Sequence, residues 1–369
     1  MPTMTEAVSS AGPRRRRRGA GRRAGARPAG RVARLVAPVA LVGALLLAAC
    51  GGGGGGGATA GGGTGVAGAT ATAEPGAFPV TIEHKYGGTE LDEAPQRVVT
   101  LGLSDHEPVL AFGVRPVGAI DWYGERPYGI WPWTDKLWGD ARPEIVGQRE
   151  DFNVEKIARL RPDLIIALYT GMSEQQYKTL SRIAPVVAQP KDYDDYGAPW
   201  TVMTTMVGEA LGQPAKAKEL IAGVEKHLAD ARAAHPEFAG QTVAVADSTA
   251  PGTYSVFSPT DPKSIILAGL GFQVPDEIGA LADGKFSVPI SAERLDLVDA
   301  DRLVWLVGDD TVEGRIKADP VYQRLAVARE DRAVFLPYGR PVPIGGALSF
   351  GTVLSIPWAV DQIVPRLVA

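Results

Sequence analysis

The chain has 369 residues and a formal net charge of −4, yet its first 49 residues hold ten arginines against the single acid Glu6. Residues 50–369 therefore carry a net charge of −13, which excludes the basic surface that nucleic-acid binding requires. Cys50 is the only cysteine, so no disulfide can form within the chain.

The ten arginines lie between Arg14 and Arg34, and the 15 residues from Leu35 to Ala49 carry no charge. Basic, then apolar, then small is the order of an export signal. The apolar run is shorter than the roughly 20 residues of a spanning helix. It ends Leu47-Ala48-Ala49-Cys50, which resembles a bacterial lipobox. That resemblance implies acylation of the Cys50 thiol, with chains such as palmitate, and a lipid anchor. Two acyl chains on one residue meet the requirement for stable anchoring. Gly, Ala and Thr dominate from Gly51 to about Gly76, giving a flexible tether of roughly 30 Å.

Beyond residue 78, about 290 residues remain, more than a single core usually holds, and two lobes are expected. Residues 97–101 read as a strand, 107–112 as a short helix stopped by Gly113, and 116–120 as a second strand. Residues 153–160 read as a helix ended by Pro162, followed by buried strands at 163–167 and 186–188. Such alternation predicts parallel pairing in an α/β lobe. Residues 200–235 are helical except at Gly212-Gln213-Pro214, where Pro214 suits a first helical turn. The second piece is about 20 residues, enough to span roughly 30 Å as a rod between lobes. Alternation then resumes: a strand at 242–246, a helix at 264–270, a helix at 291–298, strands at 302–307 and 333–336, and a closing helix at 351–367.

An internal echo recurs 138 residues apart. Asn153-Val154-Glu155-Lys156-Ile157 leads to Asp163 and a strand; Ser291-Ala292-Glu293-Arg294-Leu295 leads to Asp301 and a strand. Asn and Ser are both helix-capping residues. The helix dipole accounts for an acid in each first turn, but not for the same run into an Asp-led strand.

Taken in order, Pro95-Gln96-Arg97-Val98-Val99-Thr100-Leu101, the two echo segments, and Asp319-Pro320-Val321-Tyr322-Gln323-Arg324-Leu325 before Arg332-Ala333-Val334-Phe335 resemble one family. It is the substrate-binding proteins of bacterial ABC importers for iron-siderophores, haem and cobalamin. The likeness covers roughly residues 80 to 369. It implies an α/β fold of two lobes with central, mostly parallel sheets, joined by one long α-helix, with the ligand cleft between the lobes. The expected organisation is a signal peptide at 1–49, the acylated Cys and tether at 50–77, an N-terminal lobe at 78–212, a connecting helix at 213–235 and a C-terminal lobe at 236–369. The resemblance also implies that one glutamate per lobe, Glu155 and Glu293, pairs with arginines of the membrane permease.

Ligands of parallel α/β lobes sit beyond the carboxyl ends of strands. Residues there include Ser104, Asp105, His106, Ser248, Phe257 and Tyr338. The set expected to bind ligand is Trp122, Tyr123, Arg149, Tyr169, Tyr254, Phe286 and Arg340. Aromatic rings supply contact area and Arg a bidentate grip, which suits a flat, polar, anionic ligand. The segment holding Trp131, Trp133 and Trp138 reads as a packed surface flap.

The four histidines, His84, His106, His227 and His235, show no i, i+4 pair, so no protein metal site is expected. Iron would arrive wrapped in its chelator, and no cofactor is expected. No Gly-x-Ser-x-Gly elbow, P-loop or His-Glu-x-x-His occurs, and no catalytic residue is assigned. The expected partners are a ferric siderophore, an ABC permease with its ATPase, and a membrane held through the lipid; the expected state is a monomer on the extracytoplasmic face. Cobalamin or haem on the same fold is the alternative cargo, and a lipid-anchored sensor or adhesion module the alternative class. A helical rod is stiffer than loop hinges, so lobe movement is expected to be small.

Overall fold

A computed structural model describes residues 72–368 except 123, 125–127 and 340. Cys50, the export signal, the tether before residue 72, Tyr123 and Arg340 lie outside the described residues. No helix among the described residues is long and apolar enough to cross a membrane.

The chain enters through a hairpin of β1 (Val80–His84) and β2 (Gly87–Leu91). The first lobe continues with β3 (Val98–Thr100), α1 (His106–Ala111), β4 (Gly118–Asp121), α2 (Asp135–Trp138), β5 (Glu144–Gln148), β6 (Asp151–Phe152) and α3 (Val154–Leu160). It closes with β7 (Leu164–Ile166), α4 (Glu174–Leu180), β8 (Val186–Val187) and α5 (Trp200–Ala210). Its sheet runs in the order β6-β5-β4-β3-β7-β8, parallel except for β6. Residues of β3 and β7 are wholly buried, as expected for strands covered on both faces.

Helix α6 (Pro214–Ala234) follows, 21 residues with Pro214 in the first turn, about 31 Å long. It packs on α5 behind it and on the helices of the second lobe ahead. Its first N–H groups lack a side-chain cap from Gln213. Glu74 supplies one instead: its carboxylate accepts from Ala215 N at 3.0 Å and Lys216 N at 3.1 Å. Negative charge at orphan N–H groups is favourable. Glu74, inside the stretch expected to be tether, therefore belongs to the folded unit, because composition shows apolar packing but not a distant cap.

The second lobe comprises β9 (Val243–Ala250), β10 (Thr253–Phe257), α7 (Pro262–Gly269), α8 (Asp276–Ala282), β11 (Ser287–Ser291) and β12 (Arg302–Val307). It ends with α9 (Asp310–Ala318), α10 (Ala326–Arg329), β13 (Ala333–Pro337), α11 (Ile344–Phe350) and α12 (Ser355–Leu367). The sheet order is β11-β10-β9-β12-β13; β9, β12 and β13 are parallel, whereas β10 pairs antiparallel with both neighbours. The antiparallel hairpin departs from simple alternation because the short turn after Ala250 leaves no room for a crossover helix.

The echo has a structural counterpart. Asp163 accepts the backbone N–H of Gln96 and Arg97, both at 2.8 Å, pinning β7 to the start of β3. Asp301 accepts the N–H of Thr242 at 2.8 Å, pinning β12 to the start of β9. The helical halves differ. Asn153 caps α3 by accepting from Lys156 N at 2.9 Å, but Ser291 makes no capping bond and residues 292–298 form 3-10 turns interrupted by a kink at Arg294.

Candidate functional cleft

Loops at the carboxyl ends of the first sheet bring four side chains together. Trp122 follows β4, Tyr169 follows β7, Tyr196 lies beyond β8, and Arg149 sits in the turn between β5 and β6. Trp122 and Tyr169 each meet Tyr196 edge-on, with centroids 5.8 Å and 5.6 Å away. The Arg149 guanidinium lies 5.9 Å from the Trp122 ring centroid, within cation–π range. Among the described residues this guanidinium has no carboxylate partner.

Backbone geometry sharpens the assignment. Arg149 and Tyr196 hold φ of 51° and 64°, a region that disfavours residues with a Cβ and costs about 1–3 kcal/mol. In a two-residue hairpin the first central position favours glycine. Tyr196 is further fixed by its hydroxyl, which donates to the Glu150 carboxylate.

Asp105 sets the Tyr169 loop. Its carboxylate accepts the N–H groups of Gly102, Leu168 and Tyr169 at 2.9, 2.9 and 3.0 Å. Burial pushes this carboxyl up to about 6, against the pull of those three donors. Gly102 is required here, since a Cβ would lie 2.4 Å from the Asp105 carboxylate. Ser104, Asp105 and His106 are thus buried structural residues, not cleft surface.

A pocket of about 110 Å³ opens off the aromatic group. Tyr169, Tyr196, Trp200 and Met203 wall it from the first lobe; Pro262, Ile265, Ile266, Phe286, Phe350 and Ile356 wall it from the second. Phe286 therefore joins the cleft, half-buried. Tyr254 does not. It is 2% exposed in the second core, with its ring 5.5 Å from Trp305 and its hydroxyl bonded to Asp319. Alternation along β10 turns it to the far face of the sheet, which a rule based on strand ends overlooks. The nearby cation Lys263 is 2% exposed, 2.8 Å from Asp261 and 4.0 Å from the Phe257 centroid. It is spent inside the lobe. Asp247, pushed up to about 6 by burial, accepts from the Tyr338 hydroxyl at 3.1 Å beside it.

The three-tryptophan segment is a brace between lobes rather than a surface flap. Trp131 and Trp133 stack at 5.5 Å, and both pack on Phe350; Trp133 also meets Trp358 at 5.0 Å. Glu107, fully buried, accepts from Trp133 Nε1 at 2.8 Å and from the Thr352 hydroxyl of the second lobe. Burial pushes its carboxyl up to about 8.

A two-lobed cleft of this form recurs in known proteins. The family model described as "Periplasmic binding protein" matches residues 122–338. The chain belongs to the periplasmic binding protein family. Among curated members, the "Probable siderophore-binding lipoprotein YfiY" of Bacillus subtilis is 32% identical over 232 residues, 61% of this chain and 68% of that protein. The "Fe(3+) dicitrate-binding periplasmic protein FecB" of Escherichia coli is 29% identical over 261 residues, 69% of this chain and 81% of that protein. Among solved structures, PiaA of Streptococcus pneumoniae in complex with ferrichrome superposes with a TM-score of 0.67 at 26% identity, covering 78% of this chain and 97% of that one. The family consists of solute-binding proteins, not enzymes.

Tyr196, the ring that joins Trp122 to Tyr169, escapes the sequence reading. Applying the strand-end rule to the segment after β8, Lys191-Asp192-Tyr193-Asp194-Asp195-Tyr196, would have found it. Glu107 had no such signal, because its partner Thr352 lies 245 residues away.

Proposed function

We propose that this periplasmic binding protein is the extracytoplasmic solute-binding lipoprotein of a bacterial ABC importer, and that it captures a ferric siderophore and delivers it to the membrane permease. The observation that carries the reading is the Arg149 guanidinium, without a carboxylate partner among the described residues, set against Trp122, Tyr196 and Tyr169 at the carboxyl ends of the first sheet. A guanidinium grips the anionic oxygens of a chelate, and the rings supply flat contact area. Iron is cargo held by its chelator. Trp122, Tyr123, Arg149, Tyr169, Tyr196, Phe286 and Arg340 form the binding set, without Tyr254. Cys50 holds the monomer to the membrane by its lipid, and Glu155 and Glu293 dock the two lobes on the permease.

Trp122 in the cleft makes intrinsic fluorescence the test. Titration with ferric hydroxamates, ferric catecholates, ferric citrate, cobalamin and haem is expected to give quenching by a ferric siderophore. Arg149→Ala is expected to weaken that binding about 10- to 100-fold, the loss of a hydrogen bond to a charged group at about 1.5–3 kcal/mol. No response to any ferric siderophore, with a clear response to cobalamin, overturns the cargo.

A further inference from the structure

The pocket beside the aromatic group has walls of a different chemistry from the cleft above it. We propose that it is a subsite for an aliphatic arm of the chelator, so that the cargo is a ferric chelate carrying a hydrocarbon chain; this rests on the ferric-siderophore reading and deepens it. Tyr169 and Tyr196 wall both the pocket and the Arg149 group, so a ligand seated on the group has the pocket directly beside it. Among the described residues no charged side chain lines the pocket; Met203, Ile265, Ile266 and Ile356 dominate it together with the aromatic rings. A charged or strongly hydrated arm would lose its water there without a partner.

Size selects a chain over a whole ligand. Complete small-molecule sites occupy roughly 300–1,000 Å³, whereas this pocket measures about 110 Å³. It holds a few methylene groups and leaves the iron centre outside, against Arg149. Ile265 gives the second observation. It is 47% exposed, the most exposed large apolar side chain among the described residues, and it lies at this pocket. An apolar chain lying against it removes that surface from water.

The test uses ferrioxamine B acylated on its terminal amine with two-, six- and ten-carbon chains, which leaves the ferric hydroxamate centre unchanged. Affinity is read by tryptophan quenching. Each methylene that enters the pocket is expected to tighten binding about fourfold, with a plateau once the pocket is full. Ile265→Trp, which fills the pocket mouth, is expected to flatten the gradient. Leu281→Trp, on α8 and outside the pocket, is expected to retain it. If the acetyl derivative binds and chain length has no effect, the subsite is overturned and the binding function stands. If no member of the series binds, the inference is overturned, and the wider siderophore panel decides separately whether the function falls with it.

Discussion

Uptake of iron-loaded siderophore is expected to fall to the level of a deletion strain when Glu155 and Glu293 are both changed to Arg, while ligand affinity stays within about twofold. Both glutamates are exposed, and neither makes an ion pair among the described residues. Each opens the segment that leads from an edge strand, β6 or β11, to the Asp-anchored strand of its lobe. A permease with two-fold symmetry requires one equivalent acid from each lobe. Reversing a charge there replaces attraction with like-charge contact, which costs several kcal/mol at an interface. Thermal stability should be unchanged, since exposed substitutions of this kind usually stay within about 0.5 kcal/mol. Cellular uptake of radiolabelled iron, alongside quenching titrations on purified protein, separates transport from binding. Wild-type uptake by the double variant would falsify the docking role.

The stability of the wild-type protein is expected to fall by about 1 kcal/mol between pH 7 and 8, and Glu107→Gln is expected to remove most of that slope. The Glu107 carboxyl is pushed from 4.5 up to about 8 by burial. Between those values the folded state keeps a proton that the unfolded chain has lost. Stability is therefore fully present below about 4.5 and is lost as pH rises toward 8. Asp105 and Asp247, each raised to about 6 by burial, act in the same direction at lower pH. His106 acts oppositely: burial lowers it from 6.5 to about 3, so stability is lost as pH falls through that window. Above about pH 7.5 Glu107 dominates among these four, because the other three then hold nearly the same protonation state folded and unfolded. Glu107→Ala is expected to lose roughly 2–4 kcal/mol, because the Trp133 and Thr352 donors lose their acceptor at the seam between lobes. Urea unfolding at pH 7.0, 7.5 and 8.0 reads both effects. An unchanged slope in Glu107→Gln would show that another group titrates there.

The elements that periodicity reveals are those whose folding is local. The runs at β3, β7, β12 and β13, the break at Gly212-Gln213-Pro214 and the length of α6 are legible because burial on both faces, proline geometry and helical period act within a few residues. The hairpin at β10, the short β5 and β6, and α11 are not, since their apolar content is brief or interrupted by glycine. The cleft divides in the same way. Trp122 and Tyr169 follow from the rule that strand ends face the ligand, and the same rule applied to β8 reaches Tyr196; Arg149 and Phe286 rest on the resemblance to the family's cleft positions.

By itself, the sequence determined an acidic, two-lobed α/β protein with a helical rod and a glutamate opening each half of an internal echo. Tertiary structure alone decided that Glu74 caps the rod, that Tyr254 turns into a core, that Lys263 is spent on Asp261, and that Glu107 meets Thr352 across the seam. Local patterns report which surfaces must leave water. Which polar groups then meet depends on contacts between residues up to 245 positions apart, and nothing in the intervening chain encodes such a pairing on its own.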